Sequence, residues 1–488
     1  MSFQASNVWT FLVIISALFI GIFIAYMLKN KIVFLRKSLV PVSVLAGLII
    51  LIFTTIYKLI TKENFFDLNF LSLVDSSTNT KVMTGSEMLE TITYHALGIG
   101  FVSMAFRKSK KRAKDGRFKD VFNTGITTVS TYLLQAIVGV IITLVFYLIL
   151  SSKTSLIPAS GILLCLGFGQ GTGQALNFGT VYELEHGFVG GAHFGLAIAA
   201  LGFLSASIGG VIYLNYLKRK GRIKEGIKIE DYKLEDFNES NEIGLTESVD
   251  KFSIQFGLVI LAYFLAYLLL KGLSLLIPSM ASTLFGFNFL FGTLIAIMIK
   301  AILNFFQKKN IIKRQYINNY LMNRIGGVAF DIMIVAGIAV IDIELIFEYW
   351  YILLILMVVG AIVTFIYIRL VSKKLYPDYR YEQFFGMYGM LTGTASTGII
   401  LLREIDPNLE TPASSNMVYQ NFPAIIFGLP IMLLVPYAAK GLKECLITLG
   451  IVILYFVVLV LILFRSLIFK KKKKEDSQVV IEGSHDQE

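Results

Sequence analysis

Gly167-Phe168-Gly169-Gln170-Gly171-Thr172-Gly173-Gln174-Ala175 lies in the first half of this chain, and Gly386-Met387-Tyr388-Gly389-Met390-Leu391-Thr392-Gly393-Thr394-Ala395-Ser396-Thr397-Gly398 lies in the second. Both are glycine-rich, polar, and set inside long apolar sequence at corresponding places. Such interruptions point to broken helices at membrane depth, where backbone groups and half-helix ends face solutes and ions.

The surrounding composition fixes the class. A soluble chain of 488 residues would form about three domains. Here 56% of residues are hydrophobic and only 16% charged, and the mean hydropathy is +0.71. Many windows reach the roughly 20 apolar residues that cross a bilayer as a helix. The strict alternation of an outer-membrane barrel is absent. The expectation is an all-α polytopic membrane protein. Candidate spans are 8–27, 39–60, 87–107, 122–150, 188–216, 253–277, 281–305, 325–346, 349–370, 417–438 and 444–468, about eleven transmembrane helices, with two re-entrant hairpins at 157–183 and 382–403.

Residues Met1 to Asn7 carry no Lys or Arg, so the positive start of a cleaved signal peptide is missing and the first helix is expected to be retained. Cys165 and Cys445 fall far apart in apolar segments and read as small apolar fillers.

The net charge of +11 suggests nucleic acid until its distribution is seen. Lys and Arg gather at 29–37, 107–119, 218–228, 308–314, 369–380 and 470–474, the pattern of cytoplasmic loops under the positive-inside rule. No nucleic-acid partner is expected. The charges orient helices, and the run Lys470 to Lys474 can attract anionic membrane lipid. If each glycine-rich segment enters and leaves by one face, the amino terminus lies outside. All six basic clusters and the carboxyl terminus are then cytoplasmic, in the cell (inner or plasma) membrane. The acidic connections with Glu183, Glu185, Asp342, Glu344 and Glu348 lie outside.

This placement makes the halves inverted-topology repeats. Residues 1–216 form the first, with five spans and an outward-opening hairpin. Residues 217–252 form a charged cytoplasmic linker. Residues 253–443 form the second repeat, with five spans and an inward-opening hairpin, and 444–488 add a helix and a basic tail.

The hairpins offer chemistry because unpaired backbone groups in lipid cost several kcal/mol each and survive only beside protein or water. Hydroxyls of Thr172, Thr392, Thr394, Ser396 and Thr397, with freed carbonyls, are hard oxygen donors suited to Na⁺. Half-helix N-termini suit a carboxylate. Gly169, Gly171, Gly173 and Gly393 allow close approach, and Gln170 and Gln174 are costly in a membrane without a polar task. Candidate substrate ligands are these residues and His95, which alternatively bonds a neighbouring helix. Asp331 joins Thr172 and Thr394 as a candidate Na⁺ ligand, or else pairs with Arg324 seven residues earlier. Asn416, Gln420 and Asn421 line the cavity or solvate its mouth. Gly202, Gly209 and Gly210 read as helix-packing residues.

The chain resembles the sodium/glutamate symporter family. The residues that carry the resemblance are Tyr94 to Phe101, Gly169 to Gly173, Ala200, Leu201 and Gly202, Gly209 and Gly210, and Gly393 to Gly398. The resemblance implies Na⁺ as coupling ion, import of glutamate, two hairpins around the site, elevator-like motion against a scaffold, and a homodimer. Gln170 stands where family members commonly carry histidine. No catalytic residue and no further cofactor are expected. The alternatives are an antiporter or exporter of another carboxylate, a channel, and a membrane-embedded enzyme. Neither His-Glu metal spacing nor a nucleophile elbow supports the last.

Overall fold

The structure, a computed structural model, describes residues 6–74, 81–107, 118–150, 154–223, 250–278, 281–311, 314–406 and 411–482. Most of the charged linker, including Lys228, and most of the basic cluster at 107–119, including Lys110, lie outside the described residues. The chain is helical almost throughout, as its apolar runs dictate. The helices are α1 (Ser6–Lys31), α2 (Val33–Lys37), α3 (Val42–Thr61), α4 (Gly85–Phe106), α5 (Phe118–Leu150), α6 (Leu163–Gln170), α7 (Thr172–His186), α8 (Gly191–Arg219), α9 (Lys251–Leu276), α10 (Ala281–Gly286), α11 (Asn288–Lys308), α12 (Asn319–Ala339), α13 (Ile343–Phe347), α14 (Trp350–Leu375), α15 (Arg380–Thr392), α16 (Ala395–Arg403), α17 (Pro412–Tyr419), α18 (Asn421–Ala438) and α19 (Leu442–Glu482). A small antiparallel pair, Leu73–Val74 with Lys81–Met83, is an addition to the all-helical expectation.

Local chemistry sets several helix starts. Thr84 and Glu87 form a reciprocal capping box at α4, with Glu87 N–H on Thr84 Oγ1 at 3.2 Å and Thr84 N–H on Glu87 Oε2 at 2.8 Å. Asp250 and Asn318 cap α9 and α12 through their side chains.

Nine helices among the described residues are long and apolar enough to cross a membrane, which makes this a multi-pass membrane protein. Four of the eleven expected spans differ. Helix α4 has 22 residues but does not pass the same test, because Glu87, Glu90, Thr91, Thr93, Tyr94 and His95 interrupt its apolar face. The span expected at 417–438 is two helices, α17 and α18, bent by 46°. The expected span 281–305 is split at Phe287, and 325–346 ends as a helix at Ala339 before the separate α13.

The helices pack in two groups. In the first, α4 packs on α11, α12 and α9, α12 packs on α3, α1 on α3, and α9 on α11. In the second, α5 packs on α6, α14, α18 and α19. Helix α8 packs on α6, α7, α14 and α15, and α15 packs on α16. The seam between the groups is made largely by α7, which lies against α4 and α12. Cys165 and Cys445 are free and buried, as small apolar fillers should be.

Candidate functional site

The first glycine-rich stretch is a helix break. Gly171 has φ +83° and ψ −171°, a backbone that residues with a Cβ rarely adopt. Helix α6 therefore stops at Gln170 and α7 begins at Thr172. The end of α6 is answered by protein. Gly167 O accepts from Gly171 N–H at 3.2 Å, and Gly169 O accepts from the Tyr132 hydroxyl at 3.0 Å.

The second stretch breaks between α15 and α16. Thr394 Oγ1 caps α16 by accepting from Thr397 N–H at 3.3 Å, and it lies 3.2 Å from Thr397 Oγ1. The Thr392 hydroxyl donates back to Tyr388 O at 2.7 Å. Gln135, buried in the middle of α5, donates from Nε2 to Leu391 O and to Thr364 Oγ1, both at 2.9 Å. Two of the carbonyls freed by the breaks are thus held by side chains of α5.

The two breaks meet. A Cβ built on Gly171 would lie 4.0 Å from Thr394 Cγ2 and 3.9 Å from Phe203 Cζ of α8. Gly202 of α8 sits under both arms, where a Cβ would come 2.6 Å from Thr392 O and 2.8 Å from Phe168 Cδ1. The N-termini of α7 and α16, each the positive end of a half-helix, therefore begin beside one another. The Thr172 hydroxyl donates to Met333 O of α12 at 3.2 Å, and Gly173 packs on Leu97 and Met333. Gly169, Gln170, Gly171, Thr172, Gly173, Gln174, Thr392, Gly393, Thr394 and Thr397 are brought to these two breaks.

Buried amides flank them. Gln174 is fully buried, and among the described residues neither its Nε2 nor its Oε1 has a hydrogen-bond partner; the same holds for Gln170 Nε2. A buried amide without partners costs about 1–3 kcal/mol. On the other side, Asn416 Oδ1 and Gln420 Oε1 are buried acceptors without a donor among the described residues. A chain of hydrogen bonds fixes which way Asn416 points. Thr124 Oγ1 donates to Asp120 O at 2.7 Å, Gln383 Nε2 donates to Thr124 Oγ1 at 3.1 Å, and Asn416 Nδ2 donates to Gln383 Oε1 at 3.3 Å. The amide nitrogen is thus engaged and the oxygen is left over. Gln420 Nε2 lies 3.7 Å from the sulfur of Met390, two residues before Thr392. Gln174 therefore leaves both a donor and an acceptor unmatched near the first break and Gln420 leaves an acceptor near the second, whereas Asn416 is bonded at Gln383, nine residues before Thr392 on α15.

Three expected site residues are exposed and not buried at the breaks. Ser396 is exposed. His95 is not brought to the breaks; its Nδ1 lies 2.9 Å from the Tyr263 hydroxyl, and it lines a cleft of about 390 Å³ with Glu90, Tyr94, Asn177, Thr180 and Gly286. Asp331 is exposed and stands near Ser43 of α3. At 100° per residue it points about 200° away from Met333, which faces the first break. It does not pair with Arg324, which turns to the Tyr320 hydroxyl at 3.1 Å.

Gln135 and Tyr132 are not among the residues expected from the sequence. Gln135 had a signal: an amide in the middle of the apolar run 122–150 is costly without a partner. Tyr132 had none, because tyrosine is common in apolar helices.

No protein-family model matches the chain, and no curated protein matches it.

Proposed function

We propose that this chain is a secondary active transporter that couples Na⁺ to symport of glutamate or a similar small anionic amino acid, bound where the two breaks meet. The observation that carries the reading is the juxtaposition of Gly171 and Thr394 beside the buried, unbonded amide of Gln174. Amide N–H groups and two half-helix N-termini suit a carboxylate. Hydroxyl and amide oxygens suit Na⁺; Thr172 keeps both lone pairs after donating to Met333 O, and Thr394 keeps one when its hydroxyl donates to Thr397 Oγ1. The acceptor Gln420 Oε1, beside Met390, suits either the cation or an ammonium group.

The order of elements supports two inverted-topology repeats. Helices α1, α3, α4 and α5, the pair α6 and α7, then α8 are followed by α9, α11, α12 and α14, the pair α15 and α16, then α17 and α18. On this reading the pairs are re-entrant hairpins, the group around α4 and α12 is a scaffold, and the group around α5 and α8 moves against it. On the same reading the basic loops are cytoplasmic, with the amino terminus outside a cell membrane and the carboxyl terminus in the cytoplasm. A homodimer is part of the same proposal, through the resemblance to the sodium/glutamate symporters.

The test is uptake into proteoliposomes under imposed ion gradients, across glutamate, aspartate and dicarboxylates. Saturable glutamate or aspartate uptake that follows the Na⁺ gradient supports symport. Flux that needs a counter-solute and ignores Na⁺ replaces it with the antiporter, and flux that does not saturate replaces it with a channel.

A further inference from the structure

Charged side chains from several elements meet where α4 passes α8. His193, in the first turn of α8, has its Nε2 3.9 Å from Oε1 of Glu90 on α4. Its Nδ1 accepts from the backbone N–H of Asp342 at 3.2 Å. The neutral ring therefore carries its proton on Nε2, toward Glu90. Asp342 is held by Lys58 of α3 at 2.7 Å, and the same ammonium lies 2.7 Å from Glu344. Glu183 of α7 accepts from Gly190 N–H and Ala192 N–H, both at 3.2 Å.

The charge around Glu90 is one-sided. Glu183 of α7, Glu87 of α4 and Asp67 in the segment before α4 bear on it. His193 is felt by Asp342, Glu183 and Lys58, and Lys58 is already engaged by two carboxylates. At 3.9 Å the imidazole is beyond hydrogen-bond length from Glu90. An ionised Glu90 thus repels Glu183 across the seam without a compensating bond. A proton on Glu90 removes that repulsion. Water reaches the carboxyl through the cleft that Glu90 lines beside exposed His95.

We propose that Glu90 is a proton-binding site on the seam between the two helix groups, and that loading it draws α7 and α8 onto α4. The proposal rests on the reading that the two groups move against each other. Acidification closes the seam on this side and alkalinisation opens it. It adds a proton, taken from the side where Glu183 and Asp342 lie, to the ions that bias the transport cycle.

The two native cysteines are buried, so spin labels can be placed at Leu184→Cys on α7 and Phe70→Cys, both well exposed. Their separation is measured by electron–electron double resonance in lipid nanodiscs between about pH 5 and 8. The short distance is expected to gain population on acidification, by at most about tenfold per pH unit for one proton. Glu90→Gln is expected to hold the short distance at every pH. His193→Asn, which can still accept from Asp342 N–H, is expected to keep a pH profile. A profile unchanged in Glu90→Gln, or lost only in His193→Asn, overturns the assignment. Distances that respond to Na⁺ and glutamate but not to pH overturn the proton site alone. Distances that respond to neither overturn it together with the moving-group reading.

Discussion

The Thr172 hydroxyl donates to the carbonyl of Met333, 3.2 Å away, and so ties the first residue after the Gly171 break to α12. The two residues belong to different helix groups, so this bond spans the seam at the depth of the breaks. It also orients the two lone pairs of the Thr172 oxygen.

Thr172→Ala removes the donor but leaves Met333 O its helical partner, so the cost is that of one net hydrogen bond, about 1 kcal/mol. Apparent affinity for Na⁺ or glutamate is expected to fall about fivefold, and Thr172→Ser to restore most of it. Unchanged affinities for both solutes in the alanine variant would assign the hydroxyl to packing.

Gln135→Leu keeps the volume of a buried side chain but strands Leu391 O and Thr364 Oγ1. Leaving buried groups unsatisfied costs about 1–3 kcal/mol. The variant is expected to unfold at lower temperature in detergent than the wild type and to loosen the second break. An unaltered melting temperature would show that the Leu391 carbonyl finds another donor.

Gly171 and Gly202 should fail for different reasons. A Cβ on Gly171 meets nothing closer than 3.8 Å, so Gly171→Ala suffers only from the extended positive-φ backbone that is essentially confined to glycine, about 1–3 kcal/mol. A Cβ on Gly202 would lie 2.6 Å from Thr392 O, a backbone atom that cannot swing aside. Gly202→Ala is therefore expected to force the arms apart and to lose more solute binding than Gly171→Ala, although φ at Gly202 is helical. Gly187 also has a positive φ, +69°, but in a left-handed helix cap with ψ +21° and with open space around it; Gly187→Ala tests the backbone effect alone. It is expected to leave binding intact, as a titration of each purified variant with glutamate will show.

The sequence disclosed what depends on composition and local pattern. Apolar runs marked the helices, and the glycines marked both breaks to within a few residues. What it left hidden depends on three-dimensional facing. Gly202 reads as a packing residue from its helix alone, and only the fold shows both breaks lying on it. Asp331 reads as an expensive membrane carboxylate, but its angle on α12 turns it toward α3. His95 sits two residues before Leu97, which touches Gly173, yet the same helical rotation sends it into a separate cleft. Glu90 and His193 are 103 positions apart and carry no shared motif, so their pairing was not legible from either segment.

Gln174 separates stability from function most directly. Both atoms of its amide are buried, and among the described residues neither has a partner, so in the folded protein the amide is a burden that an apolar side chain of similar volume would lift. Gln174→Leu is expected to melt at the wild-type temperature or above it, since replacing an unsatisfied buried polar group is neutral or stabilising. If the amide serves the solute, the same variant loses glutamate binding by about tenfold or more, since one hydrogen bond to a charged group contributes about 1.5–3 kcal/mol. Gln174→Asn, which keeps the amide on a shorter stem, should recover part of that loss. A Gln174→Leu protein that melts early and still binds glutamate normally would place the amide in the internal support of α7 and remove it from the site.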